Sequence, residues 1–238
     1  MNSRLINTTI LSPNHSGPRT HAIDRISPHC VVGQCSIESL GSVFSKKCRR
    51  ASSNYGIGSD GRVGLYVDEA NRSWCTSSAA NDQRAVTIEC ASDSIAPHRM
   101  NEVVYTKLVE LCADICRRYG KKKLLWFGDK KKTLAYEPEK EEMVITVHRW
   151  FASKDCPGEW LYSRLGDLAA RVTAELNKEQ KVKVKIPNLN IRTGPGKNYP
   201  ATGKFTGIGV FTIVEVKDGW GRLKSGAGWI CMEFCEVV

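Results

Sequence analysis

The segment Thr146-Val-His-Arg-Trp-Phe-Ala-Ser-Lys-Asp-Cys-Pro-Gly158 begins as a predicted β-strand and ends as a loop that carries two candidate metal ligands. Residues 142–148 predict a strand that ends at His148, and Cys156 follows eight residues later. Side chains at strand ends that lead into loops commonly converge on a cleft. We therefore expect His148 and Cys156 to face the same cleft.

A third candidate ligand, His29, follows an earlier predicted strand in Arg25-Ile-Ser-Pro-His-Cys-Val-Val-Gly33. Two imidazoles and one thiolate fill three positions around a tetrahedral Zn²⁺ and leave the fourth open to water. Zinc in such a site lowers the pKa of its bound water to about 7 and can polarise a carbonyl group, and both effects serve amide hydrolysis. Spacing alone does not single out this triplet, because five histidines and ten cysteines offer many others.

Composition bounds the class of protein. The chain has 238 residues, of which 41% are hydrophobic, so a packed core is expected, either as one large domain or as a catalytic domain with a small module. The net charge of +10 favours a polyanionic partner such as nucleic acid, an anionic wall polymer or an anionic membrane surface. Because no run of about 18 apolar residues occurs, we expect no membrane insertion.

The first residues, MNSRLINTTILSPNHSG, lack the basic patch and the long apolar stretch of a secretory signal peptide. We therefore expect synthesis in the cytoplasm without a signal peptide. In that compartment the ten cysteines are expected to be reduced thiols rather than disulfides.

Residues 1–178 mix predicted strands with three predicted helices, which indicates an α/β domain around a mixed central sheet flanked by helices. The clearest helix runs from Asn101 to about Tyr119, and others are predicted over Ser36–Lys47 and Trp160–Leu176. The stripe of the clearest helix consists of apolar residues at intervals of four, three and four: Val104, Leu108, Leu111 and Ile115.

The pattern changes after residue 181. Short apolar alternations, separated by Gly, Pro and Asn, continue to the end of the chain and predict a small antiparallel all-β barrel over residues 182–238. We expect a domain boundary between residues 178 and 182.

The segments around the three candidate ligands resemble the metal-binding motifs of the type 2 N-acetylmuramoyl-L-alanine amidases. This family includes phage lysozyme-like amidases and the peptidoglycan recognition proteins. Ser27-Pro-His-Cys-Val-Val-Gly-Gln34 is similar to the first-ligand motif, and the opening segment 146–158 is similar to the motif of the second and third ligands. The resemblance covers about residues 10–175 in matching order.

This resemblance implies that His29, His148 and Cys156 bind one Zn²⁺. It further implies that zinc-bound water hydrolyses the amide bond between N-acetylmuramic acid and L-alanine in bacterial peptidoglycan. We expect the setting of a phage or prophage endolysin, stored in the cytoplasm and acting on the cell wall after release.

The resemblance also implies roles for other residues. Tyr55, in Ser-Asn-Tyr-Gly-Ile, matches an active-site tyrosine, and Lys154 matches a catalytic lysine; both would stabilise the tetrahedral intermediate. Trp74, Thr146 and Glu89 are expected to bind substrate. Glu89 lies in Thr-Ile-Glu-Cys, a position as often structural as catalytic, so we assign no general base. Trp74 is followed by a cysteine where many relatives have a histidine, which puts substrate contacts near it in doubt.

Residues 182–238 resemble bacterial SH3 domains in Leu189-Asn-Ile-Arg-Thr-Gly-Pro-Gly196 and in two later tryptophan-bearing strands. In relatives such modules hold an enzyme on cell-wall peptides. From Lys181 onward there are nine Lys and Arg against four Asp and Glu, a net charge of +5 that suits an anionic wall. We expect a wall-binding groove near Tyr199 and Trp220, although Trp220 would equally suit the barrel core.

Two other functions compete with the amidase. A peptidoglycan-binding protein without catalysis would share the fold, but recognition proteins that lose activity lack the cysteine ligand, and Cys156 is present. A nucleic-acid binder is suggested by charge alone. Because the chain has neither a basic recognition helix nor a run of stacking aromatic residues, we expect no nucleic-acid partner.

Overall fold

The computed structural model describes residues 2–238 and divides into two compact units, Met1–Leu176 and Asn177–Val238. The division lies beside the change in sequence pattern that predicts a boundary between residues 178 and 182. Among residues 2–238, no helix combines the length and the apolar character needed to cross a bilayer.

The first unit is a mixed α/β layer structure. Seven strands form its central sheet in the order β1-β5-β4-β7-β3-β9-β8, and β2 pairs with β6 in a separate two-stranded sheet. The strands are β1 (Ile6–Thr9), β2 (His15–Pro18), β3 (Arg25–Cys30), β4 (Tyr55–Ile57), β5 (Val63–Leu65), β6 (Asn71–Ser73), β7 (Ala85–Cys90), β8 (Lys123–Leu125) and β9 (Glu142–Ile145). The helices are α1 (Ile37–Phe44), α2 (Ala79–Arg84), α3 (Glu102–Arg118), α4 (Lys130–Ala135), α5 (Gly158–Tyr162) and α6 (Leu165–Leu176).

The centre of the sheet is parallel. β3 lies between β7 and β9 and runs parallel to both, and β4 is parallel to β7 but antiparallel to β5. Parallel strands in the middle of a sheet are buried on both faces, and all six residues of β3 are buried, including the polar residues Arg25, Ser27 and His29. The predicted mixed central sheet is confirmed.

The three predicted helical regions are helical in the structure, and one of them is divided into two helices. In α3 the side chain of Asn101 accepts a hydrogen bond from Val104 N–H and caps the first turn, while Arg117 and Arg118 occupy the last turn, where the helix dipole favours cations. Ser36 caps α1 in the same way. The helix predicted over Trp160–Leu176 is instead two helices, α5 and α6, which meet at residues 163–164.

A buried carboxylate ties α3 to the sheet. Glu69 is fully buried and accepts hydrogen bonds from the guanidinium of Arg118, at 2.7 Å to each oxygen, from the hydroxyl of Tyr119 at 2.9 Å and from that of Tyr55 at 2.6 Å. Burying a carboxylate costs free energy unless such partners surround it. The network therefore stabilises the packing of α3 against β4.

The second unit is an antiparallel all-β structure, as predicted. Its seven strands have the order β12-β11-β15-β14-β13-β10-β16, and every pairing is antiparallel. The strands are β10 (Gln180–Val184), β11 (Leu189–Arg192), β12 (Ala201–Thr206), β13 (Gly209–Lys217), β14 (Trp220–Leu223), β15 (Trp229–Cys231) and β16 (Cys235–Val237).

The two aromatic residues that we expected in a wall-binding groove differ in exposure. Trp220 is only 9% exposed and belongs to the core of this unit, together with Val182, Ile213 and Ile230. Tyr199 is 40% exposed. The sequence could not separate these two cases, because a strand tryptophan serves equally well in a core or on a surface.

Candidate metal centre

Three neighbouring parallel strands bring polar side chains to one edge of the sheet. His29 near the end of β3 is the register partner of Glu89 near the end of β7. His148 follows β9, the other parallel neighbour of β3. Because parallel strands end at the same edge, residues more than 50 positions apart in sequence become neighbours. The rings of His29 and His148 have centroids 5.2 Å apart.

Cys156 reaches the same edge through a pinned loop. The Arg149 N–H donates to the carbonyl oxygen of Cys156 at 3.0 Å, and the Arg149 guanidinium donates to the carbonyl oxygen of Asp155 at 2.6 Å. These bonds close the loop on itself. As a result, Sγ of Cys156 lies 3.2 Å from Nδ1 of His29.

Gly158 allows the end of this loop to pack closely. Its backbone φ of +80° is one that residues with a side chain rarely adopt. A Cβ atom at this position would lie 2.8 Å from Cβ of His98 and 2.9 Å from the carbonyl oxygen of Pro97. Glycine in the Cys-Pro-Gly element is therefore a steric requirement.

The three predicted ligands lie close enough together to be a possible metal-binding group. One ligand atom each from His29, His148 and Cys156 can be chosen so that all three lie within 4.8 Å of one another. Bond lengths of about 2.0–2.3 Å to zinc place ligand atoms about 3.5 Å apart in a tetrahedron. Two imidazoles and a thiol are also the donor types that zinc prefers.

A second set of possible ligands overlaps the first. His29, Cys75 and Glu89 also offer atoms within 4.8 Å of one another. The thiol of Cys75 donates to Oε1 of Glu89 at 3.7 Å, and that oxygen is 3.9 Å from Nδ1 of His29. Sequence reasoning did not assign Cys75 to the site, since the only signal was its place after Trp74.

The candidate ligands are held neutral by burial. Burial, and then the nearby His148, lowers the pKa of His29 to about 3. Burial and the charge of Lys154 lower the pKa of His148. A hydrogen bond with the Cys30 thiol, together with burial, raises the pKa of Cys156. A cation that binds here meets two neutral imidazoles and displaces a proton from a thiol.

Glu89 lies beside these groups and is itself largely buried. Burial raises its pKa to about 8, while the thiol of Cys75 and the charge of Arg49 act in the opposite direction. Its Oε2 is buried and has no hydrogen-bond partner among residues 2–238.

The cluster opens into a cleft of about 550 Å³. Trp74, Glu89 and Lys154, which the sequence analysis assigned to substrate or reacting groups, line it. The indole N–H of Trp74 donates to Oγ of Ser16 at 2.6 Å, which holds the ring in place. His98 and Arg49 also line the cleft, and sequence reasoning assigned no role to either.

Tyr55 does not reach the cleft, so its expected contact with the reacting oxygen needs correction. In the β4–β7 register Tyr55 is the partner of Ile88, whereas Gly56 is the partner of Glu89. Successive side chains of a strand point to opposite faces. Tyr55 therefore points to the face of α3, where its hydroxyl donates to Glu69 and accepts from the N–H of Ser3 at 2.9 Å.

Thr146 is likewise not available to substrate. It is fully buried, and its hydroxyl lies 2.5 Å from Oγ of Ser27, which also accepts from the amide of Asn81 at 3.1 Å. The expectation of a substrate contact is thus corrected. Thr146 supports β3 and β9 beneath the candidate ligands.

The family follows from comparison with known proteins. The chain matches the model of the N-acetylmuramoyl-L-alanine amidase family over residues 14–159, more than half of its length. The protein therefore belongs to this amidase family. No curated protein matches it.

Two solved structures of PlyL show the same fold at low sequence identity. PlyL is similar with a TM-score of 0.51 and 12% identity, over 70% of this chain and 96% of that one. A mutant of PlyL has a TM-score of 0.50 and 11% identity, over 73% and 99% of the two chains. The amidase LysC from Clostridium intestinale has a TM-score of 0.49 and 12% identity, over 70% and 97%.

We predict that Tyr55→Phe lowers stability and leaves amidase turnover at the wild-type level. The variant removes a hydroxyl that is bonded to buried Glu69, and an unsatisfied buried partner costs about 1–3 kcal/mol. Denaturant unfolding measures the loss, and hydrolysis by the folded variant measures turnover. A turnover reduced at least a hundredfold in a fully folded variant would return Tyr55 to the reaction.

We predict that Glu89 makes the metal-free protein less stable as pH rises. Its folded-state pKa of about 8 lies above the ordinary value of 4.5, so the folded state holds a proton that the unfolded state releases. This contribution to the free energy of unfolding is fully present below about pH 4.5 and is lost as the pH rises to about 8. Urea unfolding with a chelator present, measured from pH 4 to 9 on wild type and Glu89→Gln, checks it.

The comparison of wild type with Glu89→Gln separates the effect of Glu89 on the free energy of unfolding from that of His29. The lowered pKa of His29 acts in the opposite sense, because its contribution increases as pH rises from about 3 to 6.5. His29 is common to both proteins, so it cancels in the difference. A difference in unfolding free energy that does not change with pH would contradict the prediction.

Proposed function

We propose that this protein is a zinc-dependent amidase that hydrolyses the bond between N-acetylmuramic acid and L-alanine in bacterial peptidoglycan. The observation that carries the proposal is the meeting of His29, His148 and Cys156 around a point with room for one ion, beside an open cleft. Membership of the amidase family supports the bond type and the substrate class.

The three ligands would hold Zn²⁺ with one position left for reactants. When bound, the ion supplies Lewis acidity to the scissile carbonyl and acidity to a water molecule. The protein's own contribution is a rigid, mostly buried set of donors. His29 is 1% exposed and sits on the central strand, so its ring has little freedom to turn away.

Glu89 is the residue that we propose moves the proton. A general acid–base group works best when its pKa lies near the working pH. Burial raises the pKa of Glu89 to about 8 in the metal-free protein, and a bound cation would lower it from there. The carboxyl group of Glu89, which belongs to the lining of the cleft, would accept the proton of the attacking water and return it to the leaving amine. The sequence assigned Glu89 only to substrate binding, because the burial that changes its pKa is a tertiary property.

Lys154 is proposed to stabilise negative charge on the substrate carbonyl oxygen. It lines the cleft beside the ligands, and its charge is felt at His148. A cation placed where charge develops in the transition state typically changes turnover by about 10²–10³. Trp74, held by Ser16, offers a rigid apolar face to the substrate.

The alternative of peptidoglycan binding without catalysis is not favoured. A protein that only recognises its ligand needs neither a thiol placed against His29 nor a buried carboxyl group with a pKa near neutrality. Both features are present and adjacent.

We also propose that the second unit is an SH3-like wall-binding module, as part of an endolysin that acts after release from the cytoplasm. Its net charge of +5 from Lys181 onward and the exposed ring of Tyr199 support this role. Arg192 connects the two expected groove residues, since it donates to the carbonyl oxygen of Tyr199 at 2.7 Å and lies 5.9 Å from the ring centre of Trp220.

Zinc content and product identity test the enzymatic proposal together. We expect wild type to hold one zinc per chain and to split defined muropeptides into N-acetylmuramic acid with a free lactyl carboxyl group and a stem peptide with a new free amino group on L-alanine. Cys156→Ser should lose both zinc and cleavage, because a neutral hydroxyl replaces the thiolate ligand. Metal analysis and mass spectrometry of the products give the two readings.

Two further variants serve as matched comparisons. Cys48 is an exposed free cysteine, so Cys48→Ser should retain zinc and activity. Lys154→Ala should retain zinc and lose roughly 10²-fold or more in rate. Intact muropeptides after incubation with zinc-loaded wild type, or unchanged cleavage by Cys156→Ser, would exclude the mechanism.

Wall binding is tested at Tyr199. We expect Tyr199→Ala to weaken sedimentation with purified cell walls by roughly tenfold, since an exposed aromatic anchor in an interface is worth more than 1 kcal/mol. Phe205, which is also exposed on the second unit, provides the control variant Phe205→Ala. Equal binding by wild type and both variants would contradict a groove at Tyr199.

A further inference from the structure

One hydrogen bond at the edge of the cleft joins a candidate ligand to a residue in an unusual conformation. Oγ of Ser77 lies 3.1 Å from Nε2 of His148. We propose that Ser77 is a positioning residue, which sets the orientation and the protonated nitrogen of the His148 ring so that the other nitrogen can bind the metal. The inference rests on the metal site of the proposed function.

The backbone of Ser77 is held where a serine rarely sits. Its φ is +63°, in the left-handed region that side chains other than glycine mostly avoid. Such a conformation persists only when the surroundings enforce it, and it often marks functional positions. Here it turns the Ser77 hydroxyl towards His148, across 71 positions of sequence.

The enforcing group is a buried carboxylate. Asp82, on α2, is 2% exposed and accepts from the N–H of Cys75 at 3.1 Å, from the N–H of Thr76 at 3.2 Å and from the hydroxyl of Thr76 at 2.6 Å. These three bonds fix the two residues that precede Ser77. The short loop therefore presents its hydroxyl from a rigid base.

The two candidate histidine ligands differ in what holds them. His29 is buried on the central strand, so packing restricts its ring, and its Nδ1 also lies 3.2 Å from Sγ of Cys156. His148 is only half buried and lies in a short 3₁₀ turn after β9. Packing restricts a half-buried ring less, so the orientation of His148 depends more on its hydrogen bond to Ser77.

A serine hydroxyl can donate or accept, and we assign Ser77 the acceptor role because that role suits metal binding by His148. When Nε2–H of neutral His148 donates to Ser77, the proton is absent from Nδ1, and Nδ1 keeps its lone pair for a cation. The same nitrogen, Nδ1, is the one that His29 directs towards Cys156. Outer hydrogen bonds to ligating histidines typically change metal affinity by about 10–100-fold. Because Ser77 is exposed, we expect the lower end of that range.

Zinc affinity of Ser77 variants tests the proposal without reference to amide hydrolysis. Ser77→Ala removes the hydroxyl, and Ser77→Gly removes it while easing the left-handed backbone. Competition with a chromophoric chelator should show roughly tenfold weaker Zn²⁺ binding by both variants than by wild type. Ser42, whose hydroxyl donates to the carbonyl oxygen of Glu38 on α1, provides the control Ser42→Ala, which should bind as wild type does.

A second measurement reports the tautomer of the His148 ring directly. Imidazole ¹⁵N NMR of the metal-free protein should show His148 with its proton on Nε2 in wild type and as a mixture of tautomers in Ser77→Gly. Wild-type affinity in both Ser77 variants would overturn the proposal, as would weaker binding in Ser77→Ala alone, since that result assigns the effect to the backbone.

The outcomes also separate this inference from the proposed reaction. Zinc binding by wild type without muropeptide cleavage would refute the amidase proposal and leave the affinity comparison decisive for Ser77. Absence of zinc binding by wild type would refute the role of Ser77 as well.

Discussion

The parallel alignment of β3 with its two neighbours is the constraint on which the site depends. It places His29 opposite Glu89 and brings the chain after β9 to the same edge. Backbone hydrogen bonds along three strands maintain this alignment, so the positions of His29 and Glu89 do not depend on any one contact. A loop-based site would have no comparable source of rigidity.

Burial at that edge of the sheet keeps the titratable side chains of the site in their neutral forms. Exclusion of water lowers the pKa of His29 to about 3 and raises that of Glu89 to about 8. In the metal-free protein, the charged forms of these groups lose hydration free energy on burial, and interactions with neighbouring groups do not compensate for this loss. A divalent cation would find the two imidazoles already neutral and would displace the proton of the Cys156 thiol.

Polar groups that do not face the cleft stabilise its walls. Glu69 joins α3 to β4, and the pair Ser27 and Thr146 joins the strands beneath the ligands. Asp82 does the same for the loop that ends at Ser77. Each buried oxygen accepts several hydrogen bonds, as buried polar groups must. The cleft therefore lies on a scaffold of satisfied polar groups as well as an apolar core.

The sequence by itself determined the elements and the donor types. Periodicity located α1 and α3, and the change of pattern after residue 181 separated an α/β unit from an antiparallel one. Short motifs selected His29, His148 and Cys156 from many possible combinations. These properties are local, so they can be read from neighbouring residues.

Only the tertiary structure decided which side chains face the cleft. A motif match placed Tyr55 at the reacting atoms, but the register of β4 against β7 points it to the opposite face, next to Glu69. Cys75, Ser77 and His98 joined the site although no motif selected them. The physical reason is that facing and burial depend on strand register and on packing between segments distant in sequence, and burial in turn sets the pKa of Glu89.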